Sequence, residues 1–431
     1  MRPRGFVVSA PSSGAGKTTV TLGLLRALRR RGHAVISAKT GPDYIDPAFH
    51  AAATGHPCLT LDPWCADAVQ LRARATGQGD LLVVEGAMGL FDGAPHATSP
   101  LGHGSTADAA AALGLPVILV VDAAKTAQTV AAVVSGLAAF RADVQIAGVI
   151  LNRIGSSRHE AMIRAAVETV VLVLGAIPRV DILATPSRHL GLVQAQEHGD
   201  LERFIEVAAD TVETHCDLDA LTTLANPVAP GTSPKRLAPL GQRIAVAQDI
   251  AFGFTYPHML ADWRAQGAEI HPFSPLADEA PDECADAVFL PGGYPELHAA
   301  TLAAATRFTT GMNAARYRGA TIHGECGGYM VLGRGLIDAN GTRHPMLGLL
   351  DLETSFAERR LHLGYRHMNA CAPLPWGSRF RGHEFHYATI LHERGDPLFT
   401  MRDSMNTALG IAGLRDGHVT GTFAHIVEAA E

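Results

Sequence analysis

The chain has 431 residues, of which 47% are hydrophobic and 18% are charged. This length exceeds what one ordinary core accommodates, so we predict two domains. A formal net charge of −7 argues against nucleic acid as a partner, because non-specific binding needs a basic surface. No apolar run approaches the roughly 18 residues of a membrane span, so we expect no membrane association. Six cysteines without CxxC spacing favour reduced thiols and a cytoplasmic location.

Strand-like and helix-like segments alternate along the first half of the chain. Short β-branched runs stand at residues 5–10, 80–85, 116–122 and 145–152. Helical stretches between them predict a parallel sheet with helices on both faces. Proline, glycine and small polar residues concentrate near 224–240, and a second strand–helix pattern begins after them. We therefore predict α/β domains at 1–225 and 241–431, joined by a linker at 226–240.

The first strand runs into PSSGAGKT at residues 11–18, which directly precedes a helical stretch. In a P-loop, backbone N–H groups at a helix N-terminus bind phosphates, the lysine reaches the β- and γ-phosphates, and the Thr hydroxyl ligates Mg²⁺. Pro11 occupies the first glycine position of that motif, and a glycine-rich turn is the alternative reading. We expect ATP and Mg²⁺ here, bound through Gly14, Gly16, Lys17, Thr18 and Thr19.

Polar residues follow other strands of the same predicted sheet. Glu85 ends the strand of VEGAMGLFDG, and Asp43 and Asp46 lie in GPDYIDP after the second strand. The carboxyl ends of parallel strands share one edge of a sheet, and ligands bind there. We expect Glu85 and Asp46 to join Thr18 in binding Mg²⁺. Turn chemistry is the alternative for each of the two aspartates, and Asp before proline is an ordinary turn signal. Asn152 follows a later strand, where its amide can pair with a nucleobase.

The second half contains IHGECGGYMVLG at residues 322–333, with one cysteine between glycines. The pattern G-x-nucleophile-x-G is typical of a strained strand-to-helix elbow, and predicts that Cys326 is a nucleophile. A helix N-terminus lowers a thiol pKa, so we expect a favoured thiolate. His425 is the candidate proton shuttle, and backbone N–H groups of Gly292 and Gly293 are candidate oxyanion donors. The alternative for Cys326 is a small buried residue.

Seven segments occur in an order that resembles one known family. They are APSSGAGKTT, GPDYIDP, VEGAMGLFDG, GVILNR, LPGGYPEL, HGECGGYM and RGHEFHY. The chain resembles the cobyrinic acid (hydrogenobyrinic acid) a,c-diamide synthases of cobalamin biosynthesis. The resemblance implies an N-terminal P-loop domain with a parallel sheet, similar to dethiobiotin synthase. It implies a C-terminal α/β domain similar to class I glutamine amidotransferases whose triad lacks its usual glutamate.

The resemblance implies that Cys326 is the glutaminase nucleophile and that His425 activates it. The usual amidotransferase glutamate stands two residues after the histidine, where this chain has Val427. Glu428 is one residue further, and we assign it no role. On the N-terminal side, Ser12 occupies the position of a signature lysine in the related partition ATPases, which argues against that branch.

For the N-terminal half, the resemblance implies that Lys17, Thr18 and Glu85 bind Mg-ATP and that Asp43 and Asp46 belong to the synthetase site. Tyr44 and Asp92 then border the carboxylate of the corrinoid. The implied reaction is an ATP-dependent, glutamine-hydrolysing amidation of the a and c acetate carboxylates, through an acyl phosphate and released ammonia. The implied partners are a corrinoid polycarboxylate and glutamine, and a homodimer is left open.

Arginine and histidine are frequent in residues 359–386. We hypothesise that this segment receives the corrinoid, and a solvated basic surface is the alternative. The residues concerned are Arg359, Arg360, Arg366, Arg379, Arg381, His383 and His386. The HEFH sequence is not a zinc motif, because its histidines are three residues apart and the helical pair needs four.

Three rival functions each account for part of the sequence. Cobyric acid synthase shares both domains, but the GPDYIDP segment and the shorter chain favour the diamide enzyme. A P-loop switch ATPase with a vestigial amidotransferase domain predicts a lysine at position 12 and an amphipathic membrane-binding tail, and the sequence has neither. A biotin-pathway carboxylase-like synthetase does not need a glutamine site.

Overall fold

The structure is a computed structural model that describes residues 2–76, 79–180, 187–188, 191–192, 199–232 and 234–430. The chain divides into two compact units, Met1–Pro234 and Lys235–Glu431. The division falls inside the segment that we expected to be a linker. Part of that segment packs on the first unit, because Val228 is fully buried and its N–H donates to Pro3 O.

The first unit alternates strands and helices. Its strands are β1 (Arg4–Ser9), β2 (Val35–Thr40), β3 (Leu59–Leu61), β4 (Leu81–Glu85), β5 (Val117–Asp122), β6 (Ile146–Ile154), β7 (Val173–Pro178), β8 (Ser187–Arg188), β9 (Gly191–Leu192) and β10 (Asn226–Pro227). Its helices are α1 (Lys17–Arg30), α2 (Asp46–Thr54), α3 (Ala68–Arg74), α4 (Thr106–Leu113), α5 (Thr129–Phe140), α6 (Ser157–Val167), α7 (Leu201–His215) and α8 (Leu218–Leu224).

The main sheet of this unit has the order β3-β2-β4-β1-β5-β6-β7, and β10 pairs with β1. All neighbours along the path are parallel, as the sequence predicts, while β10 is antiparallel. The middle residues of β1, β4 and β5 are apolar and buried, because helices cover both faces of the sheet. The P-loop, the GPDYIDP segment and Glu85 all stand at the carboxyl ends of β1, β2 and β4, which places them at one edge.

Helix α1 follows the P-loop and packs with α7. Its apolar residues are buried, and Arg26 is also buried with its Nη1 2.5 Å from Glu202 Oε1. The same guanidinium binds Glu206 and donates through Nε to Ala53 O at 3.0 Å, near the end of α2. These contacts hold the helix that carries Lys17 and Thr18 in a fixed place.

The second unit has a parallel half and an antiparallel half. Its strands are β11 (Arg243–Ala247), β12 (Glu269–Phe273), β13 (Ala287–Leu290), β14 (Thr321–Glu325), β15 (Gly335–Ile337), β16 (Arg343–Pro345), β17 (Leu352–Ser355), β18 (His362–Leu374), β19 (Gly377–His386), β20 (Thr389–Glu393), β21 (Asp396–Asp403), β22 (Ala408–Asp416), β23 (Val419–Thr422) and β24 (Ala424–Ala429). Its helices are α9 (Pro257–Ala265), α10 (Ala299–Ala304), α11 (Thr306–Tyr317) and α12 (Gly327–Leu332), with short 3₁₀ turns at Pro275–Ala277 and Pro295–Leu297.

The large sheet of the second unit has the order β12-β11-β13-β14-β23-β22-β21-β18-β19-β24. The strands from β12 to β23 are parallel, and those from β23 to β24 are antiparallel. A smaller sheet has the order β16-β15-β17-β20. The antiparallel half was not predicted, because residues 362–429 lack strand–helix alternation and form hairpins instead.

Among the helices that the structure describes, none combines the length and the apolar character that crossing a bilayer requires.

Candidate active sites

The P-loop turn of the first unit depends on glycine at two positions. Gly14 and Gly16 have φ of 80° and 89°, which is the left-handed region, and Gly16 is the residue before α1. A Cβ on Gly16 would also lie 2.3 Å from Asn152 Nδ2. This turn brings the N-terminus of α1 to the sheet edge, where its first N–H groups suit phosphate oxygens.

Lys17 is buried at the start of α1. Its Nζ donates to Met88 O at 2.5 Å and to Ser12 O at 3.5 Å, so the loop after β4 closes over the lysine. Burial lowers the pKa of Lys17 and Lys39 lowers it further, while Glu85, Asp46 and Asp92 act in the opposite direction. The lysine therefore lies within reach of several acidic groups at this edge.

Thr18, Asp46 and Glu85 form one cluster of oxygen atoms. Thr18 Oγ1 donates to Glu85 Oε1 at 2.7 Å and lies 3.3 Å from Asp46 Oδ2. Burial and Asp43 raise the pKa of Asp46 to about 7, against the opposing effect of Lys39. Two carboxylates and one hydroxyl beside a P-loop are the hard oxygen ligands that suit Mg²⁺, so the residues present fit the metal that the sequence implies.

Lys39 is a member of this cluster that the sequence analysis missed. Its Nζ lies 2.5 Å from Asp46 Oδ2, 2.8 Å from Glu85 Oε1 and 3.8 Å from Asp43 Oδ2. Burial alone would lower the pKa of Lys39, but the three carboxylates raise it well above its ordinary value. The available signal was a lysine inside β2, a strand whose six residues are all buried.

His50 and Cys58 lie behind the cluster. His50 Nε2 is 2.7 Å from Glu85 Oε2, and its Nδ1 is 3.4 Å from Cys58 Sγ. His50, Cys58 and Glu85 are all buried. Since Lys39 and Thr18 contact the other carboxylate oxygen of Glu85, the histidine fixes the orientation of that group. The sequence analysis singled out neither His50 nor Cys58 for this site.

The residues predicted to border the substrate lie on the loops around this cluster. Asp43 Oδ1 accepts hydrogen bonds from the N–H groups of Ile45 and Asp46, which is the turn chemistry that we kept as an alternative. Asp92 Oδ2 likewise accepts from Gly89 N at 2.8 Å. Tyr44 is half-buried between the two aspartates of its segment. The loops thus hold these side chains at the edge that carries Lys17.

Asn152 lies beside a cavity of about 400 Å³ that Gly16 and Thr19 also line. Its Nδ2 donates to Ala15 O at 2.9 Å, and its Oδ1 accepts from Arg153 N at 3.0 Å. The amide therefore supports the P-loop backbone. The cavity begins at the P-loop, and its volume is within the range of pockets that bind small ligands.

In the second unit, Cys326 occupies a strained turn between β14 and α12. Its φ of 48° and ψ of −105° lie in a region that residues with a side chain rarely adopt. Close packing explains the neighbouring glycines, since a Cβ on Gly328 would lie 1.9 Å from Leu290 O and one on Gly324 would lie 2.6 Å from Leu332 Cδ1. This geometry is the elbow that the sequence predicts.

The electrostatic expectation for Cys326 is wrong. The side chain is buried, and burial raises the pKa of the thiol. The negative charges of Glu296, Glu384 and Glu325 raise it further, and the N–H of Gly327 acts in the opposite direction. Helix α12 has only six residues, so its dipole does not outweigh burial among carboxylates. The thiol therefore needs a base to take its proton during attack.

His425 is fully buried in β24 and lies next to the nucleophile. The ring and the cysteine flank Gly292, because a Cβ on that glycine would lie 2.4 Å from His425 Cε1, 3.1 Å from His425 Nε2 and 3.2 Å from Cys326 Cβ. Gly293 lies close too, since a Cβ on Gly327 would lie 3.0 Å from Gly293 N. The candidate nucleophile, base and oxyanion donors of the sequence analysis are thus brought together.

The structure contradicts part of the hypothesis that residues 359–386 receive the corrinoid. Arg366 is buried and donates to Glu384 Oε2 at 2.7 Å, while His386 Nε2 lies 2.9 Å from Glu384 Oε1. Burial, with His425 and Arg366, lowers the pKa of His383 to about 3, so this buried histidine is neutral. These three side chains of the β18–β19 hairpin are therefore buried, contrary to our hypothesis that they receive a substrate. They are Arg366, His383 and His386.

Three residues of the hairpin meet a geometric criterion for a metal site. Ligand atoms of His362, Glu384 and His386 all lie within 4.8 Å of one another. The guanidinium of Arg366 and the ring of His386 already contact the two carboxylate oxygens of Glu384. The contacts of Glu384 are accounted for without an ion.

Two protein families match the chain, one in each unit. Residues 6–193 match the CobQ/CobB/MinD/ParA nucleotide binding domain, and residues 243–431 match the CobB/CobQ-like glutamine amidotransferase domain. The first match covers the P-loop and the carboxylate cluster, and the second covers the cysteine elbow. The predicted fold class, a P-loop domain followed by an amidotransferase-like α/β domain, is confirmed.

Relatives match over nearly the whole chain. A protein from Brucella anthropi named hydrogenobyrinate a,c-diamide synthase is 57% identical over 440 residues, which cover 99% of this chain and 98% of the relative. Proteins of the same name from Rhizobium meliloti and Rhodobacter capsulatus are 54% and 53% identical, each over 99% of this chain, with 100% and 99% of the relative covered. The chain therefore belongs to the hydrogenobyrinate a,c-diamide synthase family.

Proposed function

We propose that this chain is a ligase that amidates the a and c acetate carboxylates of hydrogenobyrinic or cobyrinic acid, with ATP as energy source and glutamine as nitrogen donor, in cobalamin biosynthesis. One observation carries the proposal. A P-loop unit with a buried cluster of carboxylates and lysine is joined in one chain to a unit with a cysteine elbow beside a histidine. The shared name of the relatives supports the choice of substrate.

The first unit gives the carboxylate carbon a group that ammonia can displace. A carboxylate does not react with ammonia, because an oxide ion would have to leave. Transfer of the γ-phosphoryl group of ATP to a carboxylate oxygen gives an acyl phosphate, from which ammonia displaces inorganic phosphate. Lys17 and the P-loop N–H groups neutralise charge on the transferring group.

Thr18, Asp46 and Glu85 are the residues that would hold Mg²⁺, which when bound neutralises charge on the β- and γ-phosphates. The ammonium group of Lys39 contacts the carboxylates of Asp46 and Glu85 and holds them together. Asp43, Tyr44 and Asp92 border the corrinoid carboxylate at this edge. Gly14, Gly16, Thr19 and Asn152 contact the nucleotide, whose nucleoside enters the adjoining cavity.

The second unit releases ammonia. Cys326 Sγ attacks the side-chain amide carbon of glutamine while His425 takes the thiol proton, and the N–H groups of Gly292 and Gly293 stabilise the oxyanion. The proton passes to the departing nitrogen, ammonia leaves, and a thioester remains. Water then hydrolyses the thioester, which yields glutamate and restores the thiol. The ammonia is consumed by the acyl phosphate.

The rival functions make different predictions. Cobyric acid synthase would amidate other side chains, and the mass and the amidation positions of the product distinguish it. A P-loop switch ATPase would hydrolyse ATP without consuming glutamine. We propose a cytoplasmic location and Mg²⁺ dependence, and the homodimer remains an expectation that sedimentation tests.

The decisive variant is Cys326→Ala, assayed with ATP and hydrogenobyrinic acid. We expect glutamine-dependent amidation to fall by roughly 10³-fold or more, while ammonia-dependent amidation stays within about threefold of the wild type. Cys371→Ala is the matched control, because that cysteine is exposed, and it should change neither rate. Loss of both rates in a folded Cys326→Ala protein would contradict the division of labour between the units.

A further inference from the structure

The residue before the nucleophile carries a buried carboxylate. Glu325 ends β14 directly before Cys326, and its side chain is 3% exposed. Its Oε2 lies 3.6 Å from His425 Nδ1. The position two residues after the histidine, where the usual amidotransferase pattern has a glutamate, is the buried Val427. A carboxylate therefore reaches the imidazole from a different strand.

The two edges of the imidazole face different partners. Cε1 and Nε2 of His425 lie against the position of Gly292, which is also next to Cys326 Cβ. Nδ1 faces Glu325. In a catalytic triad, one ring nitrogen exchanges the proton with the nucleophile, and a carboxylate at the other nitrogen fixes the tautomer and stabilises the imidazolium. The order Cys326, His425, Glu325 reproduces that arrangement.

Several contacts hold the carboxylate in place. Glu325 Oε1 accepts from Ile426 N at 3.1 Å, which ties it to the strand that carries His425. His323 Nε2 lies 3.6 Å from the same oxygen, and His323 Nδ1 is 2.9 Å from Thr420 Oγ1. Burial alone would raise the pKa of Glu325, but His323 and His425 lower it. The carboxylate is therefore ionised where it faces the imidazole.

We propose that Glu325 is the positioning residue of the glutaminase site, which orients His425 through Nδ1 and stabilises its protonated form. This inference rests on the proposed function. As Cys326 Sγ forms its bond to the amide carbon, the thiol proton moves to His425 Nε2, and the resulting imidazolium faces the anionic Glu325. The imidazolium then gives the proton to the leaving nitrogen as the carbon–nitrogen bond breaks. Water repeats the exchange on the thioester.

The test is Glu325→Gln, measured on glutamine hydrolysis and on ammonia-dependent amidation in the full chain. We expect the glutaminase kcat to fall about 100-fold or more, with a much smaller change in the KM for glutamine, because the loss concerns proton transfer. Ammonia-dependent amidation should stay within about threefold. Glu428→Gln is the matched control, since Glu428 is equally buried in β24 beside Val427, and it should retain glutaminase activity within about threefold.

A second readout separates positioning from structure. The rate of Cys326 alkylation by iodoacetamide against pH reports how the imidazole assists the thiol. The charge of Glu325 by itself raises the thiol pKa, so a merely electrostatic role predicts faster alkylation in Glu325→Gln. We expect slower alkylation near neutral pH instead, because the imidazole that takes the thiol proton loses its orienting carboxylate. Glu325→Asp keeps the charge with a shorter side chain, and should recover at least about tenfold of the loss in kcat. If Glu325→Gln does not fold, the comparison of Glu325→Asp with Glu428→Gln decides. We then expect the glutaminase kcat of Glu325→Asp to be lower than that of Glu428→Gln.

Glutaminase activity within about threefold of the wild type in a folded Glu325→Gln protein would overturn the inference, as would an equal loss in Glu428→Gln. The failure of the proposed function has a different signature. It would appear as glutamine-dependent amidation that survives in Cys326→Ala.

Discussion

Lys39 Nζ lies 2.8 Å from Glu85 Oε1, and both side chains are inaccessible or nearly inaccessible to solvent. The register of the sheet places Lys39 of β2 opposite Glu85 of β4, so the contact follows from strand pairing. Asp46 Oδ2 is 2.5 Å from the same ammonium group. A buried cation thus holds together two carboxylates that we propose as ligands of Mg²⁺.

Removal of that cation should destabilise the protein and increase its response to Mg²⁺. In Lys39→Met, Asp46 and Glu85 remain buried without their counter-charge, and we expect the free energy of unfolding to fall by about 3 kcal/mol. Mg²⁺ should then raise the Tm of the variant more than that of the wild type. Lys125→Met, at an exposed lysine, is the control and should change stability by less than about 0.5 kcal/mol. An unchanged Tm in Lys39→Met would refute this role.

His50 should matter for nucleotide use through Glu85. Its Nε2 is 2.7 Å from Glu85 Oε2, so His50→Gln frees that carboxylate to rotate. Loss of a group that orients a metal ligand typically costs about 10–100-fold in affinity or activity. We expect a loss of this size in ammonia-dependent amidation, with glutamine hydrolysis by Cys326 unchanged. His56→Gln, at an exposed histidine near the end of α2, should leave both rates unchanged, and a matching loss there would contradict the assignment.

Glu384 should make the stability of the protein depend on acid pH. Burial alone would raise its pKa, but His386 and Arg366 lower it from 4.5 to about 2. The folded state binds the proton less readily than the unfolded chain, so this stabilisation is present above pH 4.5 and is lost as the pH falls through about 2. A shift of this size corresponds to about 3 kcal/mol.

Urea unfolding of Glu384→Gln and of the wild type between pH 7 and pH 2.5 tests this. The variant should be less stable at pH 7, and the difference should narrow steadily below pH 4.5. Glu358→Gln, at an exposed glutamate, should follow the wild type throughout. A difference that stays constant from pH 7 to pH 2.5 would show that Glu384 contributes by another route.

The elbow should not tolerate a methyl group on its helix side. In Gly328→Ala, the added Cβ would lie 1.9 Å from Leu290 O, so β13 and α12 must separate. We expect the free energy of unfolding to fall by about 3 kcal/mol and glutamine hydrolysis to be lost, while ammonia-dependent amidation persists. Gly136→Ala in α5 is the control, because no atom lies within 4 Å of its Cβ position apart from its chain neighbours and the backbone of its own helix. It should be neutral or stabilising by up to about 1 kcal/mol, and a comparable loss in both variants would contradict this prediction.

The parts of the two sites that are formed by consecutive residues were predictable from the sequence. The P-loop and the cysteine elbow are turns whose glycines, lysine and cysteine are adjacent in the chain, and the structure has both turns where the sequence predicts them. The parallel sheet of the first unit was also predictable, since apolar strands alternate with helices along that half.

Long-range relationships were not predictable in the same way. The partnership of Lys39 with Glu85 depends on the order β2-β4-β1, which no single segment specifies. Glu325 is next to Cys326 in the chain, but its approach to His425 requires two strands to fold together. Burial raises the pKa of the Cys326 thiol, and a sequence motif does not show how deeply a side chain is buried. The hairpins after residue 362 lack the strand–helix alternation on which the domain prediction relied.

In the proposed function, one unit energises a carboxylate with ATP while the other supplies nitrogen from glutamine. The most direct test is a single reaction with hydrogenobyrinic acid labelled with ¹⁸O in its carboxylates and glutamine labelled with ¹⁵N in its amide, followed by mass spectrometry of both products. We predict two ¹⁵N atoms in each diamide and one ¹⁸O atom in each phosphate released per amide formed. Phosphate without ¹⁸O, or a corrinoid without ¹⁵N, would contradict the account.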